Sequence, residues 1–449
     1  MFRFYLITDT HLWATSRLGE NNRLDQQCVT ESEAIIDSAF DILGSKSDSD
    51  VILIAGDLTN SGENVNHEEM LKKLYTLKEK GKRVYVVTAT HDYGLELLDD
   101  TGEVINYKPG NCPRRRELRS MYNDFGFSDA IAVDEFSMSY VVQLSDGVRL
   151  LALNDDGNGR SYCGYYSKQM EWIKAQIKSA KDDGQLIIGM THHPLLPPNP
   201  VYPMASQRDM LGEYEKTAAA LADAGLQFIF TGHSHCQNIS PFTTPSGNTI
   251  TDINTGSLVG YPAPIRRVTV DNGKLEIITE HVESFEWDLK GKTAQQYMAD
   301  TFDRLITTII SSMGGDYDEF CSAVSGFGLS RDLLKKIEKP VSAIGRYINT
   351  VTFGKAGKIL LCEKKIPQSV KNRRLFDFIT EVVRNMWSGN EIYSPQTDEG
   401  LAMDILCKRL GILADPIIKK FGINMPLNDF VSTLLYDPTP DTDATFKIV

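Results

Sequence analysis

Up to about residue 280, short β-branched apolar runs alternate with amphipathic helical patterns, and this alternation commits the chain to an α/β sheet architecture. Arg3 to Thr8 reads as a strand. Thr30-Glu-Ser-Glu33 has the form of a capping box and opens a helix with Ile35, Ile36, Ala39, Phe40 and Leu43 on one face. Val51 to Ala55 is a second strand, Met70, Leu71, Leu74 and Leu77 mark a second helix face, and Arg83 to Thr88 is a third strand. From Tyr93 to about Glu135 the chain is rich in Gly, Asp and Arg and weakly periodic, the pattern of a functional insertion. Two runs, Ser139 to Leu144 and Val148 to Leu153, flank the hairpin signal Ser145-Asp-Gly147. Strands at Leu186 to Met190 and Gln227 to Thr231 follow further helices, and shorter strands lie between Ile239 and Thr279. After about Phe285 the pattern turns helical, with faces such as Leu305, Ile306, Ile309, Ile310 and Met313, and later Phe376, Ile379, Val383 and Met386. An α/β domain over residues 1–284 and a mostly helical domain over 285–449 are the expected division.

Six of the eight histidines fall in four clusters, each directly after a predicted strand. The clusters are Asp9-Thr10-His11, Thr90-His91-Asp92, Thr191-His192-His193 and Gly232-His233-Ser234-His235, and Gly56-Asp57 supplies a further strand-end carboxylate. Ligands of open α/β sheets bind outside the carboxyl ends of the strands, so these clusters are placed to converge. Imidazole and carboxylate donors without thiolate suit Mn, Fe or Zn, and also Co or Ni, rather than Ca or a structural zinc. Aspartate together with several histidines argues for two ions sharing a bridging ligand.

In this order the clusters resemble the motifs D-x-H, G-D, G-N-H-[DE], H and G-H-x-H of the calcineurin-like metallophosphoesterase superfamily. The resemblance covers roughly residues 1–280. Gly56-Asp-Leu-Thr-Asn-Ser-Gly-Glu63 and Thr231-Gly-His-Ser-His235 are similar to the bacterial branch related to class III cyclic-nucleotide phosphodiesterases. The resemblance implies a four-layer α/β/β/α sandwich. It implies that Asp9, His11 and His235 hold one metal, that Asp57 bridges, and that His192, His233 and the position of Thr90 hold the second. It also makes His91, backed by Asp92, the proton donor or transition-state stabiliser, with a metal-bridging hydroxide attacking a phosphodiester or phosphomonoester of a small molecule. The chain departs from the pattern at one place: Gly-Asn-His-Asp reads Ala89-Thr90-His91-Asp92, and a threonine hydroxyl replaces a longer carboxamide. The alternative is therefore a catalytically impaired scaffold that serves as a binding or regulatory module.

The remaining candidates have plainer expectations. His67 is expected at a helix start as a capped or surface residue, and His281 as structural. His193 is expected beside the site or on the opposite face of the strand, Cys236 as a packed thiol, and Asn154 and Asp155 as solvated loop residues or, as the alternative, as supports behind the site's ligands. Arg114-Arg-Arg116 and the cluster Lys364, Lys365, Lys371, Arg373 and Arg374 read as solvated faces, and Trp13 and Tyr165 as buried aromatics. The seven cysteines are widely spaced without a C-x-x-C pair, and read as reduced thiols. A formal net charge of −13 disfavours non-specific binding to nucleic acid or an anionic membrane. No apolar run is long enough to span a bilayer, so a cytoplasmic location is expected unless an export signal preceded this sequence. Oligomeric state is not readable from the sequence.

Overall fold

Val51-Ile-Leu-Ile-Ala55 is apolar at every position because it is covered on both faces, and its five residues are all buried. The computed structural model describes the chain except residues 22–23, 94–96, 99–103, 107–111, 157–162, 206–208, 325–330, 420–424 and 440. Along the chain run β1 (Phe2–Ile7), α1 (Thr15–Leu18), α2 (Ser32–Ser45), β2 (Val51–Ala55), α3 (Asn64–Glu79) and β3 (Arg83–Val87). A ribbon of β4 (Leu97–Leu98) and β5 (Val104–Asn106), then α4 (Arg115–Met121), leads to β6 (Ala130–Asp134), β7 (Ser139–Ser145) and β8 (Val148–Ala152). Next come α5 (Ser167–Asp182), β9 (Leu186–Met190), α6 (Tyr202–Ala205), α7 (Tyr214–Ala224), β10 (Phe228–Thr231), β11 (Asn238–Thr243), β12 (Thr249–Asn254), β13 (Pro264–Asp271) and β14 (Lys274–His281). The helical part comprises α8 (Ala294–Gly314), α9 (Tyr317–Ala323), α10 (Arg331–Thr350), α11 (Phe353–Ile359), α12 (Leu375–Ser388), α13 (Asp398–Ile418) and α14 (Leu427–Leu435), and the chain closes with β15 (Ala444–Lys447).

Two mixed sheets form the centre, in the orders β15-β14-β13-β1-β2-β3 and β11-β12-β10-β9-β8-β7-β6. Their facing sides enclose a core that includes Phe4, Leu6, Leu53, Val142, Leu150, Ile188 and Phe230. Helices α2 and α3 cover the outer face of the first sheet through Ile35, Ala39, Met70 and Leu74, and α5 and α7 cover the second through Ile173, Ile177 and Leu221. This is the four-layer α/β/β/α sandwich that the resemblance implied, with a helical C-terminal region. Strands β1, β2 and β3 run parallel, as do β8, β9, β10 and β12, so the carboxyl ends of both parallel sets meet at one edge of the sandwich.

Two local expectations need correction. The capping box at Thr30 does not form: α2 starts at Ser32 without a side-chain cap, and the Thr30 hydroxyl instead bonds the backbone of Asn21. The stretch from Tyr93 to Glu135 is not wholly an insertion, since it contains α4 and the edge strand β6 paired to β7. That strand is only half-buried, which is why its sequence lacks a strong periodic signal.

The helical region returns to the sandwich close to the His233-Ser-His235 segment. The Gln237 backbone N–H donates to the Trp387 carbonyl (3.0 Å), its side-chain amide donates to the Ser388 carbonyl (2.8 Å), and the Ile239 N–H donates to Asp441 (2.6 Å). The buried Arg266 reaches the Thr442 carbonyl (2.8 Å) from the other side. Burial, with Asp437 nearby, pushes Asp441 up to about 7, and burial with Asp441 and Asp437 nearby pushes Glu391 up to about 8. Both carboxyls are thus held neutral at pH values where an unfolded chain ionises them near 4. Folded-state protonation stabilises the chain below that range and its contribution is lost as pH rises to about 8. Melting temperature is expected to fall over this interval, and Glu391→Gln to flatten the fall; a pH series of thermal melts tests it.

Candidate metal centre

Three of the five strand-end clusters, those at Asp9, Asp57 and His233, leave their strands through turns with left-handed backbone geometry. Asp9, His11, Asp57, His233 and His235 have φ between 38° and 63° and are five of the eleven non-glycine residues in the left-handed region among the described residues. Such a conformation costs on the order of 1–3 kcal/mol per residue and persists only where surrounding structure imposes it. Here the loops after β1 and β2 are laced together by Asp9 N–H to the Gly56 carbonyl (3.1 Å), His11 N–H to Asp57 (3.0 Å) and Asn60 N–H to Leu12 (3.0 Å). Gly56, at φ 94°, gives His192 room: a Cβ there would lie 2.4 Å from the His192 Nδ1. Gly232 does the same for Asp9, whose Oδ2 would lie 2.4 Å from an added Cβ.

Two pairs of imidazole nitrogens result. His11 Nε2 lies 3.2 Å from His235 Nε2, and both lie near Asp9 Oδ1, at 3.6 and 3.3 Å. His192 Nε2 lies 3.2 Å from His233 Nδ1. Asp57 Oδ2 stands between the pairs, 3.0 Å from His192 Nε2 and 3.7 Å from His11 Nε2. His192 donates its Nδ1–H to the Ala55 carbonyl (2.8 Å), which fixes the tautomer and leaves the Nε2 lone pair facing the site. Asp9 Oδ1 and Asp57 Oδ2 are buried and accept no hydrogen bond, while the other oxygen of each is satisfied, by Thr8 O–H and His233 N–H on Asp9 and by His91 N–H on Asp57. Buried, unpartnered carboxylate oxygens facing imidazole lone pairs are costly without a cation, so the donor set fits two metal ions. Burial pushes both carboxyls up, yet His11, His192 and His235 hold Asp9, and His192 and His91 hold Asp57, well below the usual range.

The other predicted site residues sit around this centre. Thr90 is half-buried in the turn Thr90–Asp92, and its hydroxyl makes no hydrogen bond among the described residues. His91 is exposed, its ring 4.7 Å from that of His11, and its Nδ1–H donates to the Asn60 carbonyl (2.6 Å). Asp92, expected to back the His91 ring, instead accepts from Thr59 N–H (2.8 Å), Thr59 O–H (3.1 Å) and Ala89 N–H (2.9 Å), so it positions the loop rather than the imidazole.

Several buried residues that shape the centre were misread or missed in the sequence. Asp155 is not solvated but 1% exposed, and accepts from Thr191 O–H (2.7 Å), the backbone N–H of His192 (3.1 Å) and His193 (2.8 Å), and His193 Nδ1–H (2.9 Å). Its position at the end of β8 carried the same signal as the other strand-end clusters. His193 therefore lies beside the centre, its ring 4.1 Å from that of His233 and its Nε2 3.1 Å from Cys163 Sγ. His67 is neither a cap nor a surface residue: it is fully buried in α3 and donates from Nε2 to the Asp92 carbonyl (2.7 Å) while Nδ1 accepts from Tyr122 O–H (2.7 Å). Burial brings it down to about 4, which matches this neutral tautomer.

Asp252 and Asn254 on β12 escaped notice. Asp252 accepts from the Leu195 and Leu196 N–H (2.8 Å each) and from Thr231 O–H (2.6 Å), and Asn254 binds Thr231, the Gly232 carbonyl (2.9 Å) and Ser234 O–H. Their only sequence signal is a polar i, i+2 pair within Ile250-Thr-Asp-Ile-Asn254, a run that reads as a strand. Gln26 is a further such residue, its amide resting on His235 Nδ1.

The plainer candidates are quickly placed. Cys236 is a packed thiol and His281 ends β14, while Arg115 pairs with buried Asp156 (3.0 Å) rather than facing solvent. Arg373 is bound to Glu381 and Glu399 (2.9 Å), whereas Lys364 and Lys365 are exposed. All seven cysteines are free thiols. No helix among the described residues is long and apolar enough to cross a membrane.

Solved structures that the chain is similar to include a dimetal phosphatase from Danio rerio, 13% identical with a TM-score of 0.45, covering 63% of this chain and 97% of that one. They also include an NAD nucleotidase from Haemophilus influenzae, 12% identical with a TM-score of 0.34, covering 79% and 61%. The chain matches no curated protein. The calcineurin-like phosphoesterase family, in contrast, matches residues 2–237, more than half of the length, and spans every cluster of the centre. The chain belongs to the calcineurin-like phosphoesterases, a family of metal-dependent phosphoester hydrolases.

Proposed function

We propose that this chain hydrolyses a phosphodiester of a small molecule in preference to a monoester, at a centre of two transition-metal ions. The observation that carries the reading is the pair of buried carboxylate oxygens, Asp9 Oδ1 and Asp57 Oδ2, without hydrogen bonds among imidazole nitrogens. Asp9, His11 and His235 would hold one ion, His192 and His233 the other with Thr90 at its edge, and Asp57 would bridge. Mn, Fe or Zn suits these donors. Bound there, such ions would neutralise the phosphate oxygens and lower the pKa of a water.

The chain's own groups do the rest. His91 is the exposed imidazole at the centre, and the Asn60 carbonyl fixes its Nδ1–H, so Nε2 faces the incoming ester and, when protonated, gives its proton to the leaving oxygen. Asp92 and His67 hold the turn that carries it. Asp155 holds His192 and His193 by their backbone. The reading is tested by comparing hydrolysis of bis-p-nitrophenyl phosphate and p-nitrophenyl phosphate with added Mn, after elemental analysis of the purified chain. Faster diester turnover with about two metals per chain supports it, and faster monoester turnover overturns the diester preference.

Thr90 favours a second reading, a binding module with an impaired second site, because a hydroxyl reaches less far than the carboxamide of the family motif. Thr90→Asn is expected to tighten binding of the second Mn by about tenfold. Calorimetric titration reads this directly, and an unchanged isotherm removes Thr90 as a determinant.

A further inference from the structure

The acidic net charge argues against anionic partners only if the charge is spread evenly, and it is not. Residues 331–374 carry twelve Lys and Arg against three Asp and Glu, within a chain of net charge −13. In the middle of this segment α11 and the following single turn, Glu363–Lys365, form one compact projection, closed at Gly357, where an added Cβ would lie 2.8 Å from Ile366 and 2.9 Å from Glu363. Phe353, Ala356, Cys362 and Ile366 face the helical core. The opposite side presents Lys355, Lys358, Ile359, Leu361, Lys364 and Lys365, all exposed. None of these four lysines forms an ion pair among the described residues, although pairs are common elsewhere on the surface.

Leu361 is 87% exposed, more than any other large hydrophobic residue among the described residues apart from the final Val449, and Ile359 is 62% exposed. Leu361 also stands just past the end of α11 at φ 56°, where its N–H closes the helix on the Lys358 carbonyl (3.2 Å). That is the place where glycine ordinarily ends a helix, because a side chain there is strained. The folded chain thus holds an aliphatic side chain in a costly conformation and gives it nothing to pack against.

We infer that the α11 projection is a docking surface for an anionic lipid bilayer, with Ile359 and Leu361 entering the headgroup boundary and Lys355, Lys358, Lys364 and Lys365 contacting lipid phosphates. Two aliphatic side chains ringed by lysines match an interfacial anchor. A nucleic-acid surface would call for exposed aromatics to stack on bases or arginine forks for phosphates, and residues 353–365 offer neither. The inference is independent of the metal centre.

Co-sedimentation of the full chain with phosphatidylcholine vesicles, with and without phosphatidylglycerol, tests it. Binding to the anionic vesicles alone is expected, weakening as salt is raised. Leu361→Gly is expected to bind about tenfold more weakly while melting no lower than the parent, since glycine relieves the left-handed strain. The double change Lys364→Glu, Lys365→Glu should weaken binding by at least about tenfold. Absence of binding to anionic vesicles, binding unchanged in both variants, or tighter binding to a short RNA or DNA duplex than to vesicles would overturn the inference.

Discussion

Asp57→Asn is expected to abolish hydrolysis, lowering kcat/KM by about a thousandfold or more. The Asp57 Oδ2 atom stands between the two imidazole pairs, at 3.0 Å from His192 Nε2 and 3.7 Å from His11 Nε2, closer to His192 than Asp9 Oδ1 at 4.0 Å, and it accepts no hydrogen bond among the described residues. A carboxamide keeps the shape but removes the negative charge, and it can turn an N–H₂ donor towards lone pairs that need a cation. The His91 N–H, which donates to the other Asp57 oxygen at 3.0 Å, can still donate to the amide oxygen, so the fold should survive. Metal content by elemental analysis should fall below that of the parent in parallel with the rate. A variant that hydrolyses at the parental rate would defeat the shared-ligand reading.

Gly56→Ala is expected to damage both activity and stability without touching a donor atom. The residue sits at φ 94°, and an added Cβ would lie 2.4 Å from Nδ1 and 2.7 Å from Cγ of the His192 ring. That ring is pinned by its bond to the Ala55 carbonyl, so it cannot retreat without losing its tautomer-fixing partner. Overpacking and backbone strain together should cost about 2–4 kcal/mol of stability, and displacement of His192 about a hundredfold in rate. Gly147→Ala is the control: nothing lies within 4 Å of its added Cβ, and it should melt and turn over like the parent. Chemical denaturation with the two variants side by side reads the difference, and equal midpoints would refute the steric account.

The centre was legible in the sequence where chemistry coincides with a strand end. Asp9, His11, Asp57, His192, His233 and His235 each follow closely on a short apolar run that marks a buried strand, and the parallel strands bring their carboxyl ends to one edge. What stayed hidden are groups whose role depends on contacts between distant segments. His67 looks like any helical histidine until Asp92, 25 residues later, is folded onto it. The resemblance implied Asp92 as the partner of His91, whereas its carboxylate is claimed by Thr59 from another strand end. The failed capping box at Thr30 shows the same effect, since a tertiary partner, Asn21, won the hydroxyl from the helix. The exposed apolar tip at Leu361 left no trace in a helical pattern because it lies two residues beyond the helix that defines the period.

Strand β12 adds no residue to the converging donor groups among the described residues, yet it decides what can be moved. Asp252 grips the backbone after His193 and Asn254 grips the backbone around Gly232, so the two loops that would hold the second ion are fastened to one strand. Anyone grafting this centre onto another scaffold by transplanting the strand-end motifs alone would carry over the donors and leave behind their common mount. The smallest portable unit is the pair of loops together with β12, and a designed host lacking an acid and an amide two positions apart on the neighbouring strand would present the same side chains in the wrong register.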